Sequence, residues 1–121
     1  MKKQITPHEK IGSLLASISK PVRVQILLAI GTGEACVCHL ESLLGLRQAY
    51  ISQNLMTLRK ANIITSRREG KYIYYRLAEP DVLGILQTAG EALGVSEEAL
   101  AVQDHSNCEC PKCSAASNPS G

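Results

Sequence analysis

The sequence predicts a small, mainly α-helical domain that carries one β-hairpin. Aromatic residues make up 3% of the 121 residues, and Phe and Trp are absent, so Leu, Ile, Val and Ala must fill the core, which favours packed helices. Apolar residues recur every three or four positions and change to alternation only in residues 63–77. The length fits one domain, residues 1–102, followed by a Cys-rich tail, residues 103–121, that we expect to be flexible without a ligand.

Apolar spacing predicts five to six helices, and the last of them is short. Their bounds are Pro7–Ser19, Pro21–Ile30, Ala35–Leu44, Gln48–Ala61, Pro80–Gly94 and Val95–Val102. Gly31 and Gly45 end the second and third helices, because glycine tolerates the left-handed backbone that follows a helix. A tight turn containing Gly45 therefore joins the short third helix to the fourth.

The alternating segment predicts a hairpin after the fourth helix. Its strands are Ile63–Arg68 and Lys71–Leu77, and Glu69-Gly70 supplies the turn. Short helix, glycine turn, helix and basic hairpin is the order of a winged helix-turn-helix. In that fold the second helix of the pair enters the DNA major groove and the hairpin touches the backbone nearby.

Charge is segregated along the chain in a way that fits this expectation. Residues 47–76 hold seven of the 13 basic residues, one of the 11 acidic residues and all four tyrosines. Such a block is typical of a surface that faces nucleic-acid phosphates, although an ordinary solvated charged face has the same composition.

The fourth helix and the basic residues around it supply the candidate DNA contacts. Gln48 and Gln53 are the best base readers, because an amide pairs its donor and acceptor with adenine. Arg and Lys side chains are expected at phosphates. The full set is Arg47, Gln48, Tyr50, Ser52, Gln53, Asn54, Thr57, Arg59, Lys60, Arg67, Arg68 and Lys71.

Five cysteines lie in two tight clusters, which is poor spacing for structural disulfides. We see neither a signal peptide nor a membrane span, so we expect a cytoplasmic protein whose thiols bind a soft ion or sense redox state. Thiolates favour As(III), Sb(III), Cd(II) or Pb(II), with Zn(II) also possible. The candidate ligands are Cys36, Cys38, Cys108, Cys110 and Cys113.

Cys36 and Cys38 are two residues apart, about 200° around a regular helix, so both can face one ion only if the first turn is irregular. An ion held there by the tail can pull residues 35–39 and reorient the first helix of the DNA-binding pair. Alternatives stay open: Cys36 as a small buried hydrophobe, the tail as a redox-labile end, or a separate tail site completed by His105. His39 is a spare candidate.

Four segments resemble the ArsR/SmtB metalloregulators, and the match covers about residues 8–94. The segments are Glu34–Leu40, Tyr50–Leu55, Arg67–Lys71 and Tyr74–Leu77. The resemblance implies a homodimeric winged helix-turn-helix repressor that binds operator DNA and is released by a metal ion or metalloid. The Cys-Val-Cys element is similar to the soft-metal site of the arsenic- and cadmium-sensing branches. We expect the first and fifth helices to form the dimer interface.

The sequence also departs from the family pattern. Glu41 stands where the arsenic branch often has a third Cys, and His39 replaces the acidic residue that usually follows the second. Gln53-Asn54 replaces the usual Arg-His, so the operator sequence does not carry over. Residues 79–94 contain no His, so the zinc site of the last dimer helix is expected to be absent. The missing ligands are expected from the tail.

The sequence therefore predicts a metal- or metalloid-responsive repressor. An enzyme is not expected, because neither a nucleophile–base set nor a phosphate-cradling loop is evident. Two alternatives stay open. One is a thiol redox or persulfide sensor on the same scaffold. The other is a metal-buffering protein that does not bind DNA.

Overall fold

The computed structural model describes residues 5–100, which form six helices and three strands. In chain order the elements are α1 Pro7–Ile18, α2 Pro21–Ile30, β1 Ala35–Cys36, α3 Val37–Leu44, α4 Gln48–Lys60, β2 Ile64–Glu69, β3 Tyr72–Leu77, α5 Asp81–Ala92 and α6 Glu97–Leu100. The predicted class and the winged helix-turn-helix order are confirmed. The predicted tail lies outside the described residues.

Helix boundaries follow from local chemistry. The Thr6 hydroxyl accepts a hydrogen bond from the Glu9 backbone N–H at 3.1 Å, so it caps the start of α1. Ser96 caps α6 in the same way through the Ala99 N–H. Gly45 ends α3 in the left-handed conformation, with φ +67°, and its N–H bonds to the Glu41 carbonyl. The turn between α3 and α4 therefore requires this glycine.

The sheet has the strand order β1-β3-β2 and is antiparallel throughout. Its β2–β3 hairpin is the predicted one, but the turn is Gly70-Lys71, one residue later than predicted, because Glu69 pairs with Tyr72. The third strand corrects a second prediction. The sequence predicts Ala35 and Cys36 to be helical, whereas they are extended and pair with β3, so α3 begins at Val37.

The core lies between the helices and one face of the sheet. Aliphatic side chains fill it, as the composition predicted, and the α4 residues Ile51, Leu55 and Leu58 have no exposed surface. Burying this stripe turns the opposite side of α4 outward. None of the described helices is by itself long and apolar enough to cross a membrane. Among them, only α1 and α2 taken together meet the length and the apolarity of a span, and these two helices are bent by 88° relative to each other.

We predict that Gly45→Ala destabilises the domain by roughly 1 kcal/mol, because a Cβ is disfavoured at positive φ. Chemical denaturation at fixed protein concentration measures this change. Gly45→Asn is the matched control. Because asparagine tolerates the left-handed region, this variant should lose less stability than Gly45→Ala. Equal stability of the wild type and Gly45→Ala would contradict a conformational role for this glycine.

Candidate nucleic-acid interface and thiol site

The structure places most of the predicted DNA contacts at the surface. Gln48 and Gln53 are exposed at the start and middle of α4, and Tyr50 is 43% exposed. Ser52 and Thr57 are half-buried, and the Thr57 hydroxyl donates to the Gln53 carbonyl at 3.2 Å. The exposed basic members of the predicted set are Arg47, Arg59, Lys60, Arg67, Arg68 and Lys71.

Asn54 has a different environment from its neighbours on α4. Its side chain is 3% exposed and is the buried polar group of the described core. Its oxygen accepts from Arg23 Nε at 3.0 Å, and its nitrogen donates to the Tyr50 carbonyl at 2.9 Å. Both ends of the amide are therefore occupied inside the domain. In this structure Asn54 therefore holds α4 from inside the domain, and its amide is not presented at the surface as the other predicted contacts are.

Arg23 extends this contact into a three-helix clamp. It lies on α2, and its Nη1 donates to the Ser17 carbonyl of α1 at 3.1 Å while its Nε holds Asn54 of α4. A guanidinium can serve both acceptors because its donors form a rigid fork. The clamp therefore sets the orientation of α4 relative to α1, a role that no local pattern in the sequence indicated.

The hairpin carries its basic residues in different environments. Arg68 Nε donates to the Gly70 carbonyl at 3.2 Å, and the Lys71 ammonium lies 5.4 Å from the Tyr72 ring centre. Both residues are exposed at the tip. Arg76, which sequence reasoning did not select, is also exposed and donates to the Thr65 hydroxyl at 3.4 Å. The sequence feature that could have identified Arg76 is its position within the basic segment, residues 47–76.

Arg67 turns away from the tip. Its Nε and Nη2 donate to the two Glu34 carboxylate oxygens at 2.8 and 2.9 Å, and its guanidinium carbon lies 4.7 Å from the Tyr74 ring centre. Hydrogen bonding to Glu34 raises the pKa of Arg67 above its usual range. The partner is 33 residues away in sequence, so the pairing left no local pattern.

The thiol pair lies where β1 meets α3. Cys36 is extended, with φ −91° and ψ 166°, and caps α3 by accepting the His39 N–H at its sulfur at 3.4 Å. Cys38 lies in the first helical turn. Because Cys36 stands before the helix, the two Sγ atoms approach to 2.9 Å. The irregularity that the sequence required for convergence is therefore present.

The two thiols have unequal surroundings. Cys36 is 2% exposed and packs with Tyr74, whereas Cys38 is half-buried beside the same cluster and is disulfide-bonded. Within residues 5–100 no group of three His, Cys, Asp or Glu side chains is arranged to hold a metal. Two sulfur atoms thus converge there, and the predicted ligands Cys108, Cys110 and Cys113, with His105, lie outside the described residues.

Comparisons with known proteins agree with this architecture. Residues 20–66 match the model of the bacterial regulatory proteins of the arsR family. The biofilm growth-associated repressor of Agrobacterium fabrum is 35% identical over 91 residues, which are 75% of this chain and 78% of that protein. The arsenic resistance transcriptional regulator ArsR1 of Pseudomonas putida is 48% identical over 56 residues, 46% of this chain and 43% of that protein.

A solved structure extends the likeness to the fold. The crystal structure of the transcriptional repressor BigR from Xylella fastidiosa superposes with a TM-score of 0.66 at 32% identity, covering 70% of this chain and 87% of that one. A helix-turn-helix with a polar outer face and an attached hairpin defines a winged helix transcription regulator. The chain belongs to the ArsR family of bacterial regulatory proteins. It is a transcriptional repressor and not an enzyme.

We predict that Asn54→Ala lowers the free energy of unfolding by roughly 1–3 kcal/mol, because Arg23 loses its buried acceptor. Urea denaturation at fixed protein concentration measures this. The matched control is Gln53→Ala on the neighbouring exposed position, which should change stability by less than about 0.5 kcal/mol. If both variants have the wild-type free energy of unfolding, the clamp does not contribute to stability. Asn54 would then again be a candidate for contact with DNA.

Proposed function

We propose that this chain represses transcription as a homodimer on operator DNA and that a thiophilic inducer at Cys36 and Cys38 releases it. The observation that carries the proposal is the convergence of two sulfur atoms, 2.9 Å apart, at the start of α3. This is the first helix of the DNA-binding pair, and the preceding residues belong to the sheet of the hairpin. A ligand at the sulfurs therefore acts on both DNA-contacting parts.

Operator binding follows from the exposed face of α4 and from the hairpin. Gln48 and Gln53 are exposed on α4, and the proposal assigns them to base edges; Arg68 and Lys71 are exposed at the tip, and the proposal assigns them to phosphates. Because an operator lies on chromosomal DNA, the proposal includes a cytoplasmic location.

Dimer formation follows from apolar surface on the two helices that the sequence assigned to the interface. Ile11 and Leu15 of α1 are 58% and 47% exposed, and Leu93, directly after α5, is 80% exposed. Surface of this kind is typical of an interface that a single chain leaves uncovered. A two-fold dimer presents two copies of α4 to two operator half-sites.

Ligand chemistry follows from the donor set. Cys36 and Cys38 supply two thiolates once reduced, and the proposal takes the remaining donors from Cys108, Cys110 and Cys113. Three thiolates suit As(III) or Sb(III), whereas four suit Cd(II) or Zn(II), and Pb(II) is also thiophilic. The relative named for arsenic resistance supports a metalloid inducer. Release requires that the inducer bind the DNA-free state more tightly than the DNA-bound state.

We predict that Arg68→Ala with Lys71→Ala weakens operator binding and lowers the slope of log affinity against log salt by about two, because two phosphate contacts are lost. Fluorescence anisotropy with the DNA upstream of its own gene, at several salt concentrations, measures the slope. Lys10→Ala, a charge change on α1, is the control and should leave the slope unchanged. A wild type without salt-dependent operator binding would instead support the metal-buffering alternative.

We predict that As(III), Cd(II), Pb(II) or Zn(II), titrated with thiols kept reduced, releases the wild type from its operator. Cys36→Ser with Cys38→Ser should abolish release, because the inducer loses both sulfur ligands. Operator affinity should stay unchanged, because neither sulfur belongs to the face of α4 that we assign to DNA. Replacing Cys108, Cys110 and Cys113 by Ser tests the tail separately. Unchanged release in the tail variant removes these residues from the site, and unchanged release in the Cys36/Cys38 variant overturns the proposal.

A second candidate function is redox sensing by the same thiols. It is favoured by the disulfide at Cys38 and by the contact between its sulfur and that of Cys36. In this case peroxide takes two electrons from two thiols and leaves a disulfide and water. A sulfane-sulfur donor instead inserts one sulfur atom between the two thiols, and a second sulfane sulfur takes the two electrons and leaves as sulfide. Intact mass spectrometry of protein released under reducing conditions separates the functions, because a bound ion adds its own mass.

A further inference from the structure

We propose that Glu34 is a positioning residue for Arg67, and that Glu34, Tyr74 and Arg67 relay the state of the thiol pair to the hairpin that contacts DNA. This inference rests on the proposed function and specifies how the site is coupled to the hairpin. The relay consists of two contacts on one face of the sheet, opposite the main core, which join residues near the thiols to β2 and β3, and of one link along the chain.

The first contact holds the Arg67 guanidinium from two sides. Glu34 binds it through two oxygens, at 2.8 and 2.9 Å, and Tyr74 lies beneath it at 4.7 Å. Arg67 and Tyr74 are also paired across β2 and β3. A two-point hydrogen bond fixes both the position and the plane of a guanidinium. Glu34 thus competes with a DNA phosphate for the same donors.

The second contact joins Tyr74 to the thiols. Tyr74 is 1% exposed and Cys36 is 2% exposed, and they form one buried cluster, against which Cys38 and Tyr72 pack. Cys36 is also the backbone partner of Tyr74 in the β1–β3 ladder. A change in the position of Cys36 therefore cannot occur without a change at Tyr74, on which Arg67 stacks.

The third contact is covalent, because Glu34 lies two residues before Cys36. Glu34, Cys36, Tyr74 and Arg67 thus close a ring in which three of the four links are made by the chain and the sheet ladder, and the fourth is the Glu34–Arg67 ion pair. A ligand bound by both Cys36 and Cys38 fixes segment 34–38 and strengthens the hold of Glu34 on Arg67. The phosphate contact of Arg67 is weakened as a result.

The test compares Glu34→Gln with Glu69→Gln. Glu69 is the matched control, since its carboxylate lies 3.6 Å from the same guanidinium and is 64% exposed, but it is not part of the ring. Both variants remove one negative charge from the hairpin region, so both should raise operator affinity. We expect Glu69→Gln to keep the wild-type ratio of operator dissociation constants with and without As(III), and Glu34→Gln to reduce it to less than about a third. Where As(III) releases the wild type, equal ratios in the two variants overturn the relay.

Arg67→Lys provides a second variant in case Glu34→Gln is poorly folded. Lysine keeps the charge for phosphate but cannot form the two-point contact, so the As(III) ratio should fall in the same way. Glu34→Gln combined with Arg67→Lys should lower the ratio no further than either change alone, because both break one contact. Additive losses would show that the two residues act separately, and so would overturn the relay.

A measurement without an inducer separates failure of the relay from failure of the proposed function. Through the ring, a phosphate that takes Arg67 from Glu34 changes the surroundings of Cys36, so operator DNA should change the rate at which iodoacetamide alkylates reduced Cys36 and Cys38 in the wild type and in Glu69→Gln, but much less in Glu34→Gln. If As(III) does not release the wild type while this DNA effect is present, the inducer is wrong and the relay stands. If operator DNA leaves the wild-type alkylation rate unchanged, the relay is overturned.

Discussion

The backbone pairing of Cys36 with Tyr74 is the contact on which the functional organisation of this domain depends. Without it, Ala35 and Cys36 would continue into α3, and the two sulfurs would lie on different sides of a regular helix. Pairing with β3 holds Cys36 extended at the end of the sheet and makes it the cap of α3. One short ladder therefore brings the sulfurs together and attaches them to the hairpin.

A second constraint acts on the recognition helix from the opposite side of the domain. The α4 stripe of Ile51, Leu55 and Leu58 is fully buried, yet an aliphatic contact alone allows small rotations of a helix. Asn54 and Arg23 add directional hydrogen bonds to that face. Buried polar contacts of this kind favour one orientation, because any other leaves a desolvated group without a partner. The polar outer face of α4 is thereby fixed relative to α1.

The sequence was sufficient for the order of the helices because apolar period, proline starts and glycine stops all lie within a few neighbouring residues. It was insufficient for β1, since two residues are too few to show alternation and their partner strand is 38 or more positions away. The same reason explains Asn54 and Arg67. Each looks like a surface polar residue in its own segment, and its partner, Arg23 or Glu34, lies more than 30 residues away.

The exposure of the Glu34–Arg67 pair bears on how it can act in a switch. The Arg67 side chain is 46% exposed and that of Glu34 is 14% exposed, so water and salt screen the pair more than a buried one. A phosphate can therefore displace Glu34 when DNA binds, whereas a fully buried pair would keep its partner. Because a dimer presents two hairpins to one operator, a weak effect at each is applied twice. The two-fold symmetry of the dimer thus doubles the effect of the Glu34–Arg67 pair on operator binding, even though each pair is easily broken.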